Sequence, residues 1–338
     1  MELRDELSRS ILTKLSEKKD PLEGFYASDE TKEAILAVAI SGRHLLLEGP
    51  PGIGKTTVAR ILAGLLPSMY VVSGCRYNCD PQNPQCPECL GTNPLPEPVK
   101  IDGKGRFVRV QGSPELMPED LLGDIDPVVA MQCGIHDPQA FTPGKIQKAH
   151  RKILFIDELN RVPERTQNTL IEVLEERTTT VAGFELDIMV DTVVIATQNP
   201  EEYAGAERIS ETLGDRFERI HIGYPTEEQE IDIIKRYARQ LPDVTIDDSL
   251  ISDAVKMSQA TRTSSHFSHP ASVRASIATY EQSQAIARLN GRDTVSREDV
   301  VKAAKISLES RTEISPDSRY YDSPGGLFGN ITEGTGTD

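Results

Sequence analysis

Gly49-Pro50-Pro51-Gly52-Ile53-Gly54-Lys55-Thr56 follows a short apolar run and opens a helical pattern. The spacing G-x-x-x-x-G-K-T suits a loop whose backbone N–H groups wrap a phosphate with no side chains in the way. Lys55 would reach the β and γ phosphates, Thr56 would offer its hydroxyl to magnesium, and Thr57 continues the same turn. Leu45-Leu46-Leu47 reads as a buried strand, and Thr56 to Leu66 as a helix whose N-terminus favours anions. The stretch therefore predicts an α/β unit that binds a nucleoside triphosphate.

Upstream, Leu3, Leu7, Ile11 and Leu15 recur every four residues, which predicts an amphipathic helix within residues 1–20. After Asp20-Pro21, Ser28-Asp29 opens a helix through Ile40 that closes at Gly42. The α/β domain is expected to run from 21 to 224. Residues 70–105 interrupt it with Cys, Pro, Asn and Gly, an insertion too long for a simple connection. Strand character returns at Phe107-Val108-Arg109-Val110. A second irregular stretch from 113 to 143 precedes Ile153-Leu154-Phe155-Ile156, and Thr192-Val193-Val194-Ile195-Ala196 is a further strand. Thr178 to Asp191, with Gly183 between alternating segments, reads as a hairpin. From 225 to 312 helices dominate, with capping-box spacing at Thr226/Gln229 and Ser296/Asp299. Residues 313–338 have the composition of a disordered tail.

Asp157 and Glu158 end an apolar strand, which places both at the carboxyl edge of a parallel sheet, where such sheets bind ligands. Asp157 would hold magnesium and Glu158 would polarise the attacking water. Capping of the next helix is the plainer role for such a pair. Asn199 closes Ala196-Thr197-Gln198-Asn199-Pro200, where it could orient the water or simply start a turn.

Cys75, Cys79, Cys86 and Cys89 form C-x3-C-x6-C-x2-C. Four thiolates at short spacing suit tetrahedral zinc, and an iron–sulfur cluster uses the same ligands. A metal-free loop is the third reading. Cys133 stands apart as a buried or free thiol.

Net charge is −16, which argues against non-specific nucleic-acid binding, since Lys and Arg make most phosphate contacts. No apolar run nears 18 residues, so no membrane span is expected. The charged start Met1-Glu2-Leu3-Arg4-Asp5-Glu6 lacks a signal-peptide core, which leads us to expect a cytoplasmic protein.

GPPGIGKT, ILFIDE, ATQNP and Leu213-Gly214-Asp215-Arg216-Phe217, in this order, resemble an AAA+ ATPase, and more narrowly the MoxR and magnesium-chelatase ATPase-subunit group. Asp157 to Arg161 followed by Thr166 to Arg177 is similar to MoxR proteins. Gly123 to Asp126, Ala140 to Gly144 and Lys148 to His150 resemble the chelatase subunit.

The resemblance implies a P-loop core of parallel sheet and helices, with a helix-2 insert near 122–145, a hairpin before the first sensor and a small all-α lid. ATP is the implied substrate, with Mg2+ on Thr56 and Asp157. It implies Glu158 as catalytic carboxylate, Asn199 as first sensor and Arg274 as second. Arg216 is the implied arginine finger acting on a neighbouring subunit, with a local bridge to Asp215 or Glu218 as its ordinary alternative. A homo-oligomeric ring, commonly a hexamer, follows, with a von Willebrand factor A domain protein as partner. The implied work is remodelling or activation of a client, or metal insertion into a tetrapyrrole. A nucleic-acid motor and a small-molecule kinase share the phosphate loop; the kinase leaves Asn199, Arg216 and Arg274 unexplained.

Overall fold

The computed structural model describes residues 2–135, 137–180, 187–199 and 209–333. The expected hairpin turn around Gly183, Pro200 and the final residues 334–338 lie outside them. The chain divides into two compact units, one of Met1–Gly49 with Gly54–Ile222 and one of Pro50–Ile53 with Gly223–Asp338.

Strands of the first unit, in chain order, are β1 (His44–Glu48), β2 (Met69–Val72), β3 (Pro98–Ile101), β4 (Phe107–Gln111), β5 (Gly123–Ile125), β6 (Phe141–Pro143), β7 (Lys152–Asp157), β8 (Thr178–Thr180), β9 (Asp187–Met189), β10 (Thr192–Gln198) and β11 (Phe217–His221). Five of them make the central sheet in the order β11-β1-β10-β7-β4, all parallel. Strands covered on both faces need continuous apolar runs. Leu45 to Leu47, Ile153 to Ile156 and Val193 to Ala196 supply them and are all buried.

Around the sheet lie the helices Leu3–Ser16, Asp29–Ser41, Lys55–Leu65 and Glu164–Glu176. Leu3, Leu7 and Ile11 of the first are buried, while Leu15 is exposed. Ser28 Oγ accepts the Thr31 N–H and Gly42 takes a left-handed φ of 69°, closing the second helix at both ends.

The insertion expected at 70–105 has its own framework. β2 and β3 pair antiparallel and bracket the four cysteines. β5 and β6 pair likewise across the short helix Pro127–Cys133, in the segment expected to carry an insert. β8 and β9 are antiparallel neighbours before β10.

The second unit is built on the helices Glu227–Tyr237, Asp248–Thr263, Val273–Leu289 and Arg297–Glu309. Capping boxes start the first and last of these at Thr226 and Ser296. Glu230 is buried there and takes two hydrogen bonds from Arg262, at 2.8 and 2.9 Å.

The tail corrects the expectation of disorder from 313 onward. A strand pair joins β12 (Phe267–His269) to β13 (Glu313–Ile314), and a helix spans Pro324–Glu333. Leu327, Phe328 and Ile331 enter the unit's apolar core beside Ala275 and Val300. Burial of these three side chains outweighs the turn-forming composition around them.

Candidate active site

The phosphate loop joins β1 to the helix Lys55–Leu65. Gly52 and Gly54 hold φ at 78° and 95°, a region that only glycine enters at little cost, so the motif's glycines are used for backbone shape. Lys55 Nζ donates to the Gly49 carbonyl, and the Gly49 N–H donates to Gln198 O at 3.3 Å, tying the loop to the end of β10. Lys55, Thr56 and Thr57 are half-buried at the first turn of the helix. Within the second unit, a Cβ on Gly52 would lie 3.0 Å from Ser272 Oγ and 3.4 Å from Arg274 Cγ. Arg274 itself is exposed.

Register places the acidic pair. β10 lies between β1 and β7, with Leu47 opposite Thr197 and Ala196 opposite Ile156. Neighbouring strands are about 4.8 Å apart, so the carboxyl ends of β1 and β7 stand about 10 Å from one another. Asp157 Oδ1 accepts from the Thr197 hydroxyl at 2.8 Å and Oδ2 accepts from the Arg109 guanidinium at 2.6 Å. The Glu158 N–H donates to the same Thr197 Oγ at 2.9 Å. Gln111 and Arg161 both bind Glu158 Oε2, at 3.1 and 3.2 Å.

Glu158 holds φ at 57°, a left-handed conformation for a residue with a Cβ. Such strain costs roughly 1–3 kcal/mol and gathers where a site needs a side chain aimed. Gly112 lets β4 run close by: a Cβ there would fall 2.1 Å from Glu158 O. Asn199 is buried at the end of β10, its carbonyl 3.5 Å from Asn160 Nδ2.

Arg216 lies elsewhere. It precedes β11, and Phe217 pairs with His44, the first residue of β1. The parallel sheet thus puts Arg216 at its amino edge and Lys55 beyond its carboxyl edge. The guanidinium bonds Glu175 and the Thr212 carbonyl. The ordinary alternative of a bridge to Asp215 or Glu218 is corrected to Glu175 on the helix Glu164–Glu176, which the fold brings across 41 residues.

Arg109, Gln111 and Thr197 went unread as site residues in the sequence. The polar positions 109 and 111 alternate along the end of a strand, which was the available signal. Their meaning depends on β4 pairing with β7.

The four cysteines converge. Their sulfurs all lie within 4.8 Å of one another, and Cys79, Cys86 and Cys89 are buried. Hydrogen bonding with Cys79 and Cys86 holds the Cys75 thiol well below its ordinary range, while burial pushes Cys89 up to about 12. Cys133 is exposed, against the alternative of a buried thiol.

A glycine-shaped loop, a lysine at its helix and a carboxylate pair two strands away define a P-loop nucleoside triphosphatase. Family models agree: residues 24–73 match magnesium chelatase, subunit ChlI; 82–219 match the ATPase family associated with various cellular activities; 259–321 match the AAA lid domain. The chaperone MoxR1 of Mycobacterium tuberculosis is 25% identical over 332 residues, covering 86% of this chain and 73% of that protein. The magnesium-chelatase 38 kDa subunit of Acidiphilium rubrum is 33% identical over 199 residues, 57% of this chain and 55% of its own length. In fold, the chain matches crystalline NtrX from Brucella abortus with a TM-score of 0.52 at 18% identity, covering 96% of this chain and 64% of that one. The chain belongs to the AAA+ ATPases, in the MoxR and magnesium-chelatase group, and is an ATP hydrolase. No helix among the described residues is long and apolar enough to cross a membrane.

Proposed function

We propose that the chain works as a ring of identical subunits, commonly six, that turns ATP hydrolysis into remodelling of a client. The observation that carries this reading is the pairing of Phe217 with His44. It sets Arg216 about five strand residues, roughly 16 Å, below the phosphate loop along the sheet. A guanidinium so placed serves no phosphate of its own subunit but suits a site on a neighbour.

The donor set fits magnesium, because the Thr56 hydroxyl and the Asp157 carboxylate are hard oxygen ligands. When bound, the ion neutralises charge on the β and γ phosphate oxygens. Backbone N–H groups of residues 52–56 and the Lys55 side chain orient the triphosphate. Gln111 and Arg161 hold Glu158 Oε2, so Oε1 takes the proton of the attacking water. Asn199 orients that water, Arg274 reports the nucleotide to the lid, and the neighbour's Arg216 stabilises the spreading negative charge.

The resemblance supports a von Willebrand A domain protein as partner, and the name of the 25% relative supports chaperone-like work. The match of residues 24–73 to the chelatase subunit favours metal insertion into a tetrapyrrole as the second reading. ATP turnover measured with each candidate partner separates the two, and turnover unmoved by either counts against both. The acidic balance disfavours a nucleic-acid motor. For the core claim, Glu158→Gln should bind ATP, slow turnover by about 10²–10⁴-fold and accumulate rings on sizing. Unimpaired turnover would remove Glu158 from its role.

A further inference from the structure

We propose that Cys75, Cys79, Cys86 and Cys89 hold one structural zinc ion that fastens the β2–β3 ribbon and the β5–β6 insert to the ATPase core. A tetrahedral ion with metal–sulfur bonds of about 2.3 Å sets its sulfurs about 3.8 Å apart. Cys75 and Cys86 Sγ stand 3.8 Å apart, and no pair exceeds 4.8 Å. A disulfide needs about 2 Å. An iron–sulfur cluster sets several irons between its thiolates and spreads them wider than one ion does. The spacing is that of a single centre.

Backbone geometry supplies an independent argument. The N–H groups of Tyr77 and Cys79 point at Cys75 Sγ, both at 3.4 Å. Those of Gln85 and Cys86 point at Cys79 Sγ, at 3.4 and 3.3 Å, and that of Cys89 at Cys86 Sγ, at 3.4 Å. Five donors turned on three sulfurs is an arrangement for thiolates, whose charge they offset and whose direction they fix. Neutral thiols gain little from it.

The site also answers a packing problem. Between β2 and β3 the chain has few apolar side chains: Tyr77, Cys79, Cys86 and Cys89 are buried there, with Cys75 and Leu95 half-buried and Val72 of β2 packed against them. Phe141 of β6 and Ile125 of β5 pack on the same cluster, so the ion would also anchor the insert. Asn78 donates to Lys148 O at 2.9 Å, linking the ribbon to the segment before β7. Zinc, redox-inert and content with four sulfurs, suits a staple of this kind.

Metal analysis of the full-length chain, purified without chelator, should find about one zinc per chain. Cys86→Ser with Cys89→Ser should lose it, and Cys133→Ser should keep it. Because the double variant could misfold, the unmodified chain is also tested. Cobalt exchanged into it should give thiolate-to-metal charge-transfer absorption. Chelation should raise hydrogen exchange at least 10-fold in 75–89 and 123–143, leave Val273–Leu289 unchanged, and be reversed by added zinc. Sub-stoichiometric metal, stoichiometric iron, cobalt spectra without thiolate bands, or exchange unmoved by chelation would each overturn the proposal.

Discussion

The Thr197 hydroxyl donates to Asp157 Oδ1 at 2.8 Å while accepting the Glu158 N–H at 2.9 Å. One buried side chain on β10 thereby sets both carboxylates at the end of β7, the proposed magnesium ligand through its oxygen and the proposed general base through its strained backbone.

Thr197→Val keeps the shape but removes both bonds. Turnover should fall about 10–100-fold, as with other groups that orient a metal ligand. Stability should drop by roughly 1–3 kcal/mol for the stranded Glu158 N–H. Steady-state ATPase assays and denaturant melts measure the two, and Thr197→Ser should restore most of the rate.

Arg216→Ala should leave nucleotide affinity near its starting value and cut turnover by about 10³-fold or more. A fluorescent ATP analogue reads the first and phosphate release the second. The Glu175 pair is partly exposed, with Glu175 52% accessible, so its loss should hardly change the melting temperature.

His44 makes stability fall in acid. Its ring is half-buried at the start of β1, its Nδ1 accepts the Val194 N–H at 3.0 Å, and desolvation holds its pKa down at about 4. The folded value is below the unfolded value near 6.5, so the neutral ring contributes fully above pH 6.5 and its contribution is lost as pH falls towards 4. Between pH 6.5 and 5 this amounts to roughly 2 kcal/mol. Melting curves across that window should show the loss, and His44→Asn should flatten it.

In the second unit, Glu230→Ala would strand the buried Arg262 charge, 7% exposed at its side chain. A loss of roughly 3–5 kcal/mol is expected, read as faster hydrogen exchange in Val273–Leu289. Glu230→Met combined with Arg262→Leu should recover much of it, since an apolar pair removes the uncompensated charge.

The core of this molecule was legible because its chemistry is local. Positive-φ glycines, three apolar strands and carboxylates at a strand end all declare themselves within a few residues. What escaped the reading depends on residues far apart in the chain. Arg109 means little until β4 lies beside β7, and Arg216 meets Glu175 only once β11 and the helix Glu164–Glu176 have docked. The tail misled because composition weighs its Gly, Pro and Ser, whereas three apolar side chains on one helix decide its fate.

Mixed rings test most directly whether each ATP site is shared between two subunits. Glu158→Gln supplies an intact Arg216, and Arg216→Ala supplies an intact cradle and Glu158. Each alone should be nearly inactive, and random co-assembly in equal amounts should restore about a quarter of the interfaces, because heterologous contacts pair one subunit's cradle with the next one's finger. Phosphate release that rises on mixing towards that fraction is the predicted result; a mixture no more active than its two components would contradict it.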